Sequence, residues 1–363
     1  MRTNAGYLKV FLLTCVLLPA VDSCSKKDQT PALTAAEITE FILSPGGHTE
    51  ISANPLHSIQ IQLPDTMSSG RDLIANFKLS PGATVTVNGF PQQNGITRNN
   101  YEEDLNFRVT ATDHSTSVNW LVRASNNNYS IPWGLGHFIN KTENNNRGYN
   151  WYIDQSTSGN FASVNCGPAS VTMAIRWADP AFTKTALDAR MTYEVSGGWW
   201  FTNDIDAYLN DNNISHAIIG LSVNKDSSGY ILSHQLDHQQ VIILCLDMNY
   251  VRSVSDPEWR VDKFYPTTPG WGHFIVLKGY KIVDGDLFFE AYDPYSFGQT
   301  NTDQTLKGMS RYYRNEDLAA ACGPWWNYAF VIAKKGENLS LDAAKRKLNP
   351  LHVPLAHSAN PNF

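Results

Sequence analysis

The chain has 363 residues, which is long enough for two globular domains, and its 42% hydrophobic content is ample for packed cores and excludes general disorder. The formal net charge is −6 and only 17% of the residues are charged. This charge balance gives no sign of a basic nucleic-acid-binding surface, and we expect no nucleic-acid partner.

Residues 1–23 are predicted to be a signal peptide, because Arg2 and Lys9 precede an apolar core that is too short to span a bilayer as a permanent helix. Val21-Asp22-Ser23-Cys24 resembles a bacterial lipobox, in which the cysteine receives lipid. The resemblance implies an exported protein that a lipid on Cys24 anchors to a bacterial membrane, on the periplasmic or cell-surface face of the outer membrane. Ordinary secretory cleavage nearby is the alternative. Residues 24–31 are polar and would form a tether.

Six segments within residues 32–125 alternate apolar and polar residues, as half-buried β-strands do, and turn sequences such as Asn88-Gly89 separate them. The segments are 38–43, 58–63, 73–79, 84–88, 105–111 and 117–123. This pattern predicts an all-β sandwich. It resembles the immunoglobulin-like spacer domains of cell-surface lipoproteins, and the resemblance implies a spacer or a module that binds glycan or protein.

The second half of the chain has a different pattern. Residues 126–149 include two asparagine-rich polar stretches and are predicted to be a linker. Within residues 150–335, helical segments at 166–177, 185–191 and 202–210 come first, and strand-like segments at 215–221, 240–246, 273–280, 286–292 and 329–333 follow. The central strands are nearly all apolar, which predicts burial on both faces, and the whole predicts an α+β domain. Residues 336–363 are predicted to form a C-terminal tail.

One cysteine stands at the start of a predicted helix, in Asn165-Cys166-Gly167-Pro168. Backbone N–H groups and the helix dipole favour a thiolate there, and the thiolate is the nucleophilic form of cysteine. Cys245 lies in an apolar run typical of a buried strand, and its pairing with Cys322 stays open. We therefore expect Cys166 to be the reactive thiol.

A histidine and an aspartate can complete this site. His273 opens a buried strand and Asp293 follows the next one, so an antiparallel hairpin would bring both to the same end of the sheet. A carboxylate fixes the tautomer of an imidazole and stabilises the imidazolium that forms with a thiolate. Cys166, His273 and Asp293 then serve as nucleophile, base and orienting group. Gln155 can join the Cys166 backbone N–H as an oxyanion donor, and the chemistry needs no cofactor or metal.

These motifs together resemble a known family. A glutamine, Cys-Gly-Pro opening a helix, Gly-His-Phe-Ile-Val-Leu-Lys-Gly-Tyr and Tyr-Asp-Pro are similar to the bacteriocin-processing-like cysteine peptidases, family 39, of the papain-like superfamily. The likeness covers residues 150–335. It implies a helical half that carries the cysteine and an antiparallel sheet that carries the histidine and the aspartate. It also implies Cys166 as nucleophile, His273 as general base and acid, Asp293 as orienting group, Gln155 as oxyanion donor, and a peptide or protein substrate.

Simpler interpretations remain for each residue. A second Cys-Gly-Pro begins at Cys322, so the tripeptide alone is weak support for catalysis. His273 could be a core histidine, Asp293 could cap a turn, and the Cys, His and Asp set could bind a metal. His234 and His238 have a zinc-like spacing but fit a polar helix face or loop. Two other functions stay open: cleavage of cell-wall peptides with the same trio, and a catalytically silent surface-binding or adhesion protein.

Overall fold

The computed structural model describes residues 34–44, 46–53, 55–64, 66–67, 69–126, 133–222, 224–324 and 327–339. The predicted signal peptide, Cys24, the tether and residues 340–363 lie outside this part. The described residues contain five α-helices and sixteen β-strands. The helices are α1 Cys166–Ala178, α2 Ala186–Thr192, α3 Thr202–Asp211, α4 Lys225–Asp237 and α5 Asn315–Cys322. The strands are β1 Ile38–Ser44, β2 His48–Ser52, β3 Ser58–Gln62, β4 Leu73–Leu79, β5 Thr84–Val87, β6 Phe90–Pro91, β7 Arg98–Asn99, β8 Leu105–Thr110, β9 Ser117–Ser125, β10 Ile139–Asn144, β11 His216–Gly220, β12 Val241–Asp247, β13 Gly272–Val283, β14 Asp286–Tyr292, β15 Arg311–Arg314 and β16 Tyr328–Ile332.

The N-terminal region is a β-domain with two sheets around one hydrophobic core. One sheet has the order β1-β4-β7 and the other the order β2-β3-β9-β8-β5-β6. Phe41 of the first sheet meets Phe107 of the second edge to face, with ring centroids 5.2 Å apart. Trp120 is fully buried and donates its indole N–H to the carbonyl of Ala36 at 3.1 Å. The six predicted segments correspond to β1, β3, β4, β5, β8 and β9.

The C-terminal region has three layers, with an antiparallel sheet between two groups of helices. The sheet order is β11-β16-β12-β13-β14-β15, and β10 pairs with β13. Helices α1 to α3 cover one face, and α4 and α5 cover the other. Within β12, Ile243 and Cys245 face α1 to α3, whereas Ile242 and Leu244 face α4 and α5. Burial on both faces explains the nearly continuous apolar strands. The α+β class is confirmed.

Four elements of this region fall outside the predicted segments: α4, α5, β10 and β15. Because α4 and α5 lie between strands, the predicted order of helices first and strands afterwards is incomplete. Strand β15 is at an edge of the sheet, and β10 is largely polar and has no buried residue, so neither shows the apolar pattern of the central strands. Among the described residues, no helix combines the length and apolar character that crossing a bilayer requires.

The segment predicted as a linker has ordered contacts on both sides over residues 133–149. Phe138 is buried in the core of the N-terminal β-domain, and the next six residues form β10. The backbone N–H groups of His137 and Phe138 donate to the carboxylate of Asp284, in the β13–β14 turn, at 2.7 and 2.8 Å. The His137 ring also contacts Asp104 of the β-domain at 2.7 Å. This segment therefore joins the two regions by packing and by charge.

Candidate active site

Cys166 is the first residue of α1. Asn165 precedes the helix, and Pro168 occupies the first turn, where a missing backbone N–H costs no hydrogen bond within the helix. A side chain at Gly167 would come within 2.7 Å of the Cβ atom of Trp200, so glycine allows the Trp200 segment to pack against the helix start. The Cys166 residue is only 6% exposed. Its sulfur thus lies at the positive end of a buried helix.

The hairpin of β13 and β14 brings His273 and Asp293 together, as the sequence predicted. His273 is the second residue of β13, and Asp293 directly follows β14. The strands pair from Val283 opposite Asp286 to Val276 opposite Tyr292. His273 Nε2 lies 2.7 Å from Asp293 Oδ1, and both side chains are buried.

The Asp293 carboxylate has further donors that the sequence did not reveal. Oδ1 accepts the backbone N–H of Tyr295 at 2.9 Å, and Oδ2 accepts the hydroxyl groups of Tyr265, at 2.9 Å, and Tyr313. Burial raises the pKa of Asp293, but the charge of His273 and these hydrogen bonds outweigh it, so the pKa stays below its usual value. Asp293 is therefore an ionised carboxylate in a buried site.

His273 is placed between this carboxylate and Cys166. Burial lowers the pKa of His273, but the charge and hydrogen bond of Asp293, together with those of Cys166, raise it to about 10. A carboxylate only accepts hydrogen bonds, so Nε2 carries a proton toward Asp293. Nδ1 is the ring nitrogen that remains for the sulfur. At neutral pH the arrangement favours an imidazolium beside Cys166.

Gln155 lies in a 3₁₀ turn, Gln155–Thr157, beside the segment that leads to Cys166. Its backbone N–H donates to the carbonyl of Pro294, and its side-chain Nε2 donates to the carbonyl of Ala162, both at 2.8 Å. An amide NH₂ has two hydrogens, so one hydrogen is committed to Ala162 and one remains for an oxyanion. The Gln155 side chain is buried and fixed.

Asp154 connects this turn to the loop after Asp293. Its carboxylate accepts the backbone N–H groups of Ser156 and Phe297 at 3.0 Å and that of Gly298 at 2.8 Å. The segment with Gln155 and the loop that follows Asp293 are therefore held in one arrangement.

The other sequence candidates are not members of the Cys166, His273 and Asp293 set. Cys245 and Cys322 are free thiols, like Cys166, so the pairing left open by the sequence is not formed. Burial raises the pKa of Cys322 to about 12. His234 is on α4 and His238 directly follows that helix, and Nδ1 of His238 is hydrogen-bonded to the His234 carbonyl at 2.7 Å. In the part of the chain that the structure describes, no three His, Cys, Asp or Glu side chains are grouped to hold a metal ion.

Sequence reasoning missed Tyr265, Tyr313, Asn165 and Arg190. Tyr313 is in the unpredicted edge strand β15, and Tyr265 is in an irregular loop. Arg190 had a visible signal, because a charged residue lies next to Ala189 on the apolar face of the predicted helix at 185–191. A buried arginine at such a position needs partners, and these are described below.

The family comparison adds to this geometry. The profile of the Peptidase_C39 like family matches residues 147–319, which include Gln155, Cys166, His273 and Asp293. This match supports a C39-like family. Such a family suggests a peptidase, and specifically a cysteine peptidase. No curated protein matches the chain.

The solved structures to which the chain is similar include three of bacterial proteins. A candidate secreted protein from Bacteroides fragilis is 17% identical, with coverage of 26% of this chain and 96% of that chain and a TM-score of 0.20. A candidate C39-like peptidase from Bacillus anthracis is 13% identical, with coverage of 48% and 90% and a TM-score of 0.33. A candidate glycoside hydrolase from Bacteroides thetaiotaomicron is 13% identical, with coverage of 84% and 91% and a TM-score of 0.22. These TM-scores are too low to say anything about the site.

Proposed function

We propose that residues 150–335 form a papain-like cysteine peptidase domain that hydrolyses peptide bonds through Cys166. One observation carries the proposal: the His273 imidazole is held between the Asp293 carboxylate and the Cys166 side chain at the N-terminus of α1. Nucleophile, base and orienting group in this order are what thiol catalysis requires. The C39-like match over residues 147–319 supports the same class of reaction.

The first half of the reaction forms a thioester. The Cys166 thiolate attacks the carbonyl carbon of the substrate amide, a C–S bond forms, and the carbonyl electron pair moves onto oxygen. His273 then gives its Nδ1 proton to the amide nitrogen, the electron pair on oxygen re-forms the carbonyl as the C–N bond breaks, and the amine leaves. The raised pKa of His273, about 10, keeps that proton available at neutral pH.

The second half releases the acid and restores the enzyme. His273, now neutral, takes a proton from water, the resulting hydroxide attacks the thioester, and the C–S bond breaks to return the thiolate. In both halves a negative oxygen needs donors. As the first helical residue, Cys166 has a backbone N–H with no acceptor inside the helix, and Gln155 has its second amide hydrogen.

The test is a digest of a peptide library by the mature protein, with products identified by mass spectrometry. The library contains both protein-derived peptides and muropeptides, so the result also separates protein from cell-wall substrates. Cys166→Ala should abolish cleavage and leave the melting temperature close to that of the wild type. Cys322→Ala is the matched control, because it removes the buried thiol of the second Cys-Gly-Pro. Full activity in Cys166→Ala, or no cleavage of either library by the wild type, would refute the proposal.

We also propose that the protein is exported and carries a lipid on Cys24, with the N-terminal β-domain as an immunoglobulin-like spacer. The lipobox-like Val21-Asp22-Ser23-Cys24 supports the lipid. The two sheets around one core, which include the six alternating segments, support the spacer. Growth of expressing bacteria with an alkyne-labelled fatty acid should label the wild type and Cys15→Ser but not Cys24→Ser. Equal labelling of Cys24→Ser would exclude lipidation at this residue.

A further inference from the structure

Arg190 is a fully buried arginine on α2, close to the start of α1. Its guanidinium donates from Nε to Asn165 Oδ1 at 2.7 Å and from Nη2 to the carbonyl of Val164 at 3.1 Å. Nη1 donates to the carbonyls of Glu194, at 3.0 Å, and Gly198, at 2.6 Å. Every one of these acceptors is uncharged. The hydrogen bonds place the cation against the two residues that directly precede Cys166.

The charge of Arg190 is not neutralised by an ion pair. Among the described residues, its hydrogen-bond acceptors are one amide oxygen and three backbone carbonyls, and the carboxylates of Glu194 and Asp204 attract it without accepting a hydrogen bond from it. A buried charge without a counter-ion costs free energy, and burial lowers the pKa of Arg190. The hydrogen bonds hold this charge against the segment that leads to Cys166, which points to a task at the start of α1.

An anionic Cys166 attracts the Arg190 guanidinium more strongly than Glu194 or Asp204 does. The structure supports an attraction between an anionic Cys166 and Arg190, and this attraction is mutual. We propose that Arg190 is a positioning residue that favours the thiolate form of Cys166 and fixes the turn from which α1 begins. The inference rests on the proposed role of Cys166 as the nucleophile. Arg190 adds a fixed positive charge near Cys166, and this charge persists when His273 gives its proton away.

Two other titratable groups face Cys166. His273 approaches from β13 and supplies the mobile proton. Cys245 approaches from β12, and burial raises its pKa, so it stays a neutral thiol and adds no charge. Arg190 is thus the fixed cation of this group. The charge of Arg190 should therefore affect how the rate of Cys166 alkylation depends on pH. A purely structural role of Arg190 would leave that dependence unchanged.

The experiment measures alkylation of Cys166 by iodoacetamide in the full mature protein between pH 4 and pH 9, with the modified cysteine identified by mass spectrometry. In Arg190→Gln, the midpoint of the pH profile should rise by about one unit, which is about a tenfold slower reaction below the midpoint. Arg190→Met is a second neutral variant, in case an amide at this position prevents folding. Arg190→Lys keeps the charge and should lie closer to the wild type.

Arg147→Gln is the matched control, because Arg147 also donates to a backbone carbonyl of α1, that of Trp177, but at the opposite end of the helix. It should leave the profile unchanged. One outcome would overturn the role of Arg190 and leave the proposed function intact. In it, wild-type Cys166 is reactive and the protein cleaves peptides, but the neutral variants fold and keep the wild-type pH profile. A wild-type Cys166 that reacts no faster than Cys245 and Cys322 would instead overturn the proposed function, and with it this inference.

Discussion

Replacement of Asp293 by asparagine should remove the charge that keeps His273 protonated and retain the shape of the side chain. The pKa of His273 rises from an ordinary 6.5 to about 10 in the protein, and one unit is about 1.36 kcal/mol, so the site favours the imidazolium by about 5 kcal/mol. Burial acts against this stabilisation, and Asp293 is the largest favourable contribution. In Asp293→Asn burial remains and the charge is lost. We therefore expect the pKa of His273 to fall by about three units or more, to near or below 6.5.

The sign of the pH effect follows from this shift. A raised pKa means that the imidazolium is present at low pH and is lost as the pH rises through about 10 in the wild type. In Asp293→Asn it is lost near or below pH 6.5. At pH 7.5 the variant therefore has about a tenth or less of its His273 as imidazolium to protonate the leaving amine, and kcat/KM should fall by about tenfold or more.

Two measurements check this prediction. The ring nitrogens of ¹⁵N-labelled histidine are titrated by NMR, with the His273 signal assigned by its absence in His273→Gln, and peptide cleavage is followed over the same pH range. Asp247→Asn is the control. Asp247 is also a buried carboxylate, and in the sheet it lies opposite Gly272, the neighbour of His273. Its carboxylate accepts backbone N–H groups and not the His273 ring. A His273 that still titrates near pH 10 in Asp293→Asn would refute the assignment of Asp293 as the orienting group.

Two further predictions concern packing and the contact between the two regions. Gly308→Ala would place a Cβ atom 2.0 Å from the carbonyl oxygen of Asp293. The free energy of unfolding, measured by urea denaturation, should therefore fall by about 1–3 kcal/mol. Gly148 has open space around it, so Gly148→Ala should change the free energy of unfolding by less than about 0.5 kcal/mol. The hydrogen bond to Asp284 raises the pKa of His137, so the stabilisation from this pair is complete below about pH 6.5 and is lost as the pH rises through the raised pKa. Asp284→Asn should therefore destabilise the protein more at pH 5.5 than at pH 9, by on the order of 0.5–1 kcal/mol, and an equal loss at both pH values would contradict the ion pair.

The hairpin that carries His273 and Asp293 could be predicted from the sequence because all of its determinants are local. Two apolar strands and the short turn around Gly285 fix which strand ends meet. The same holds for Cys166, whose position at a helix start follows from the residues around it. In such cases the residues that determine the element lie close together in the sequence, and their apolar pattern is strongly periodic.

The partners of these residues could not be predicted, because they depend on contacts between distant segments. Tyr313 reaches Asp293 only because β15 pairs with β14 at the sheet edge, and β15 itself lacks the apolar pattern of the central strands. Arg190 meets Val164 and Asn165 only because α2 packs on α1. A period of apolar residues indicates that a face is buried, but it does not indicate which element covers that face.

The two Cys-Gly-Pro sequences show how much this tertiary context decides. Cys166 is the first residue of α1, whereas Cys322 is the last residue of α5, at the end of a helix whose dipole disfavours an anion. Burial without a cation raises the pKa of Cys322 to about 12, while Cys166 has His273 and Arg190 as neighbours. The same tripeptide thus gives a neutral core thiol at one helix end and a candidate nucleophile at the other. Gly-Pro follows the cysteine at both sites, so it cannot be what distinguishes them. The difference lies in the helix end at which the cysteine stands and in the charges around its sulfur.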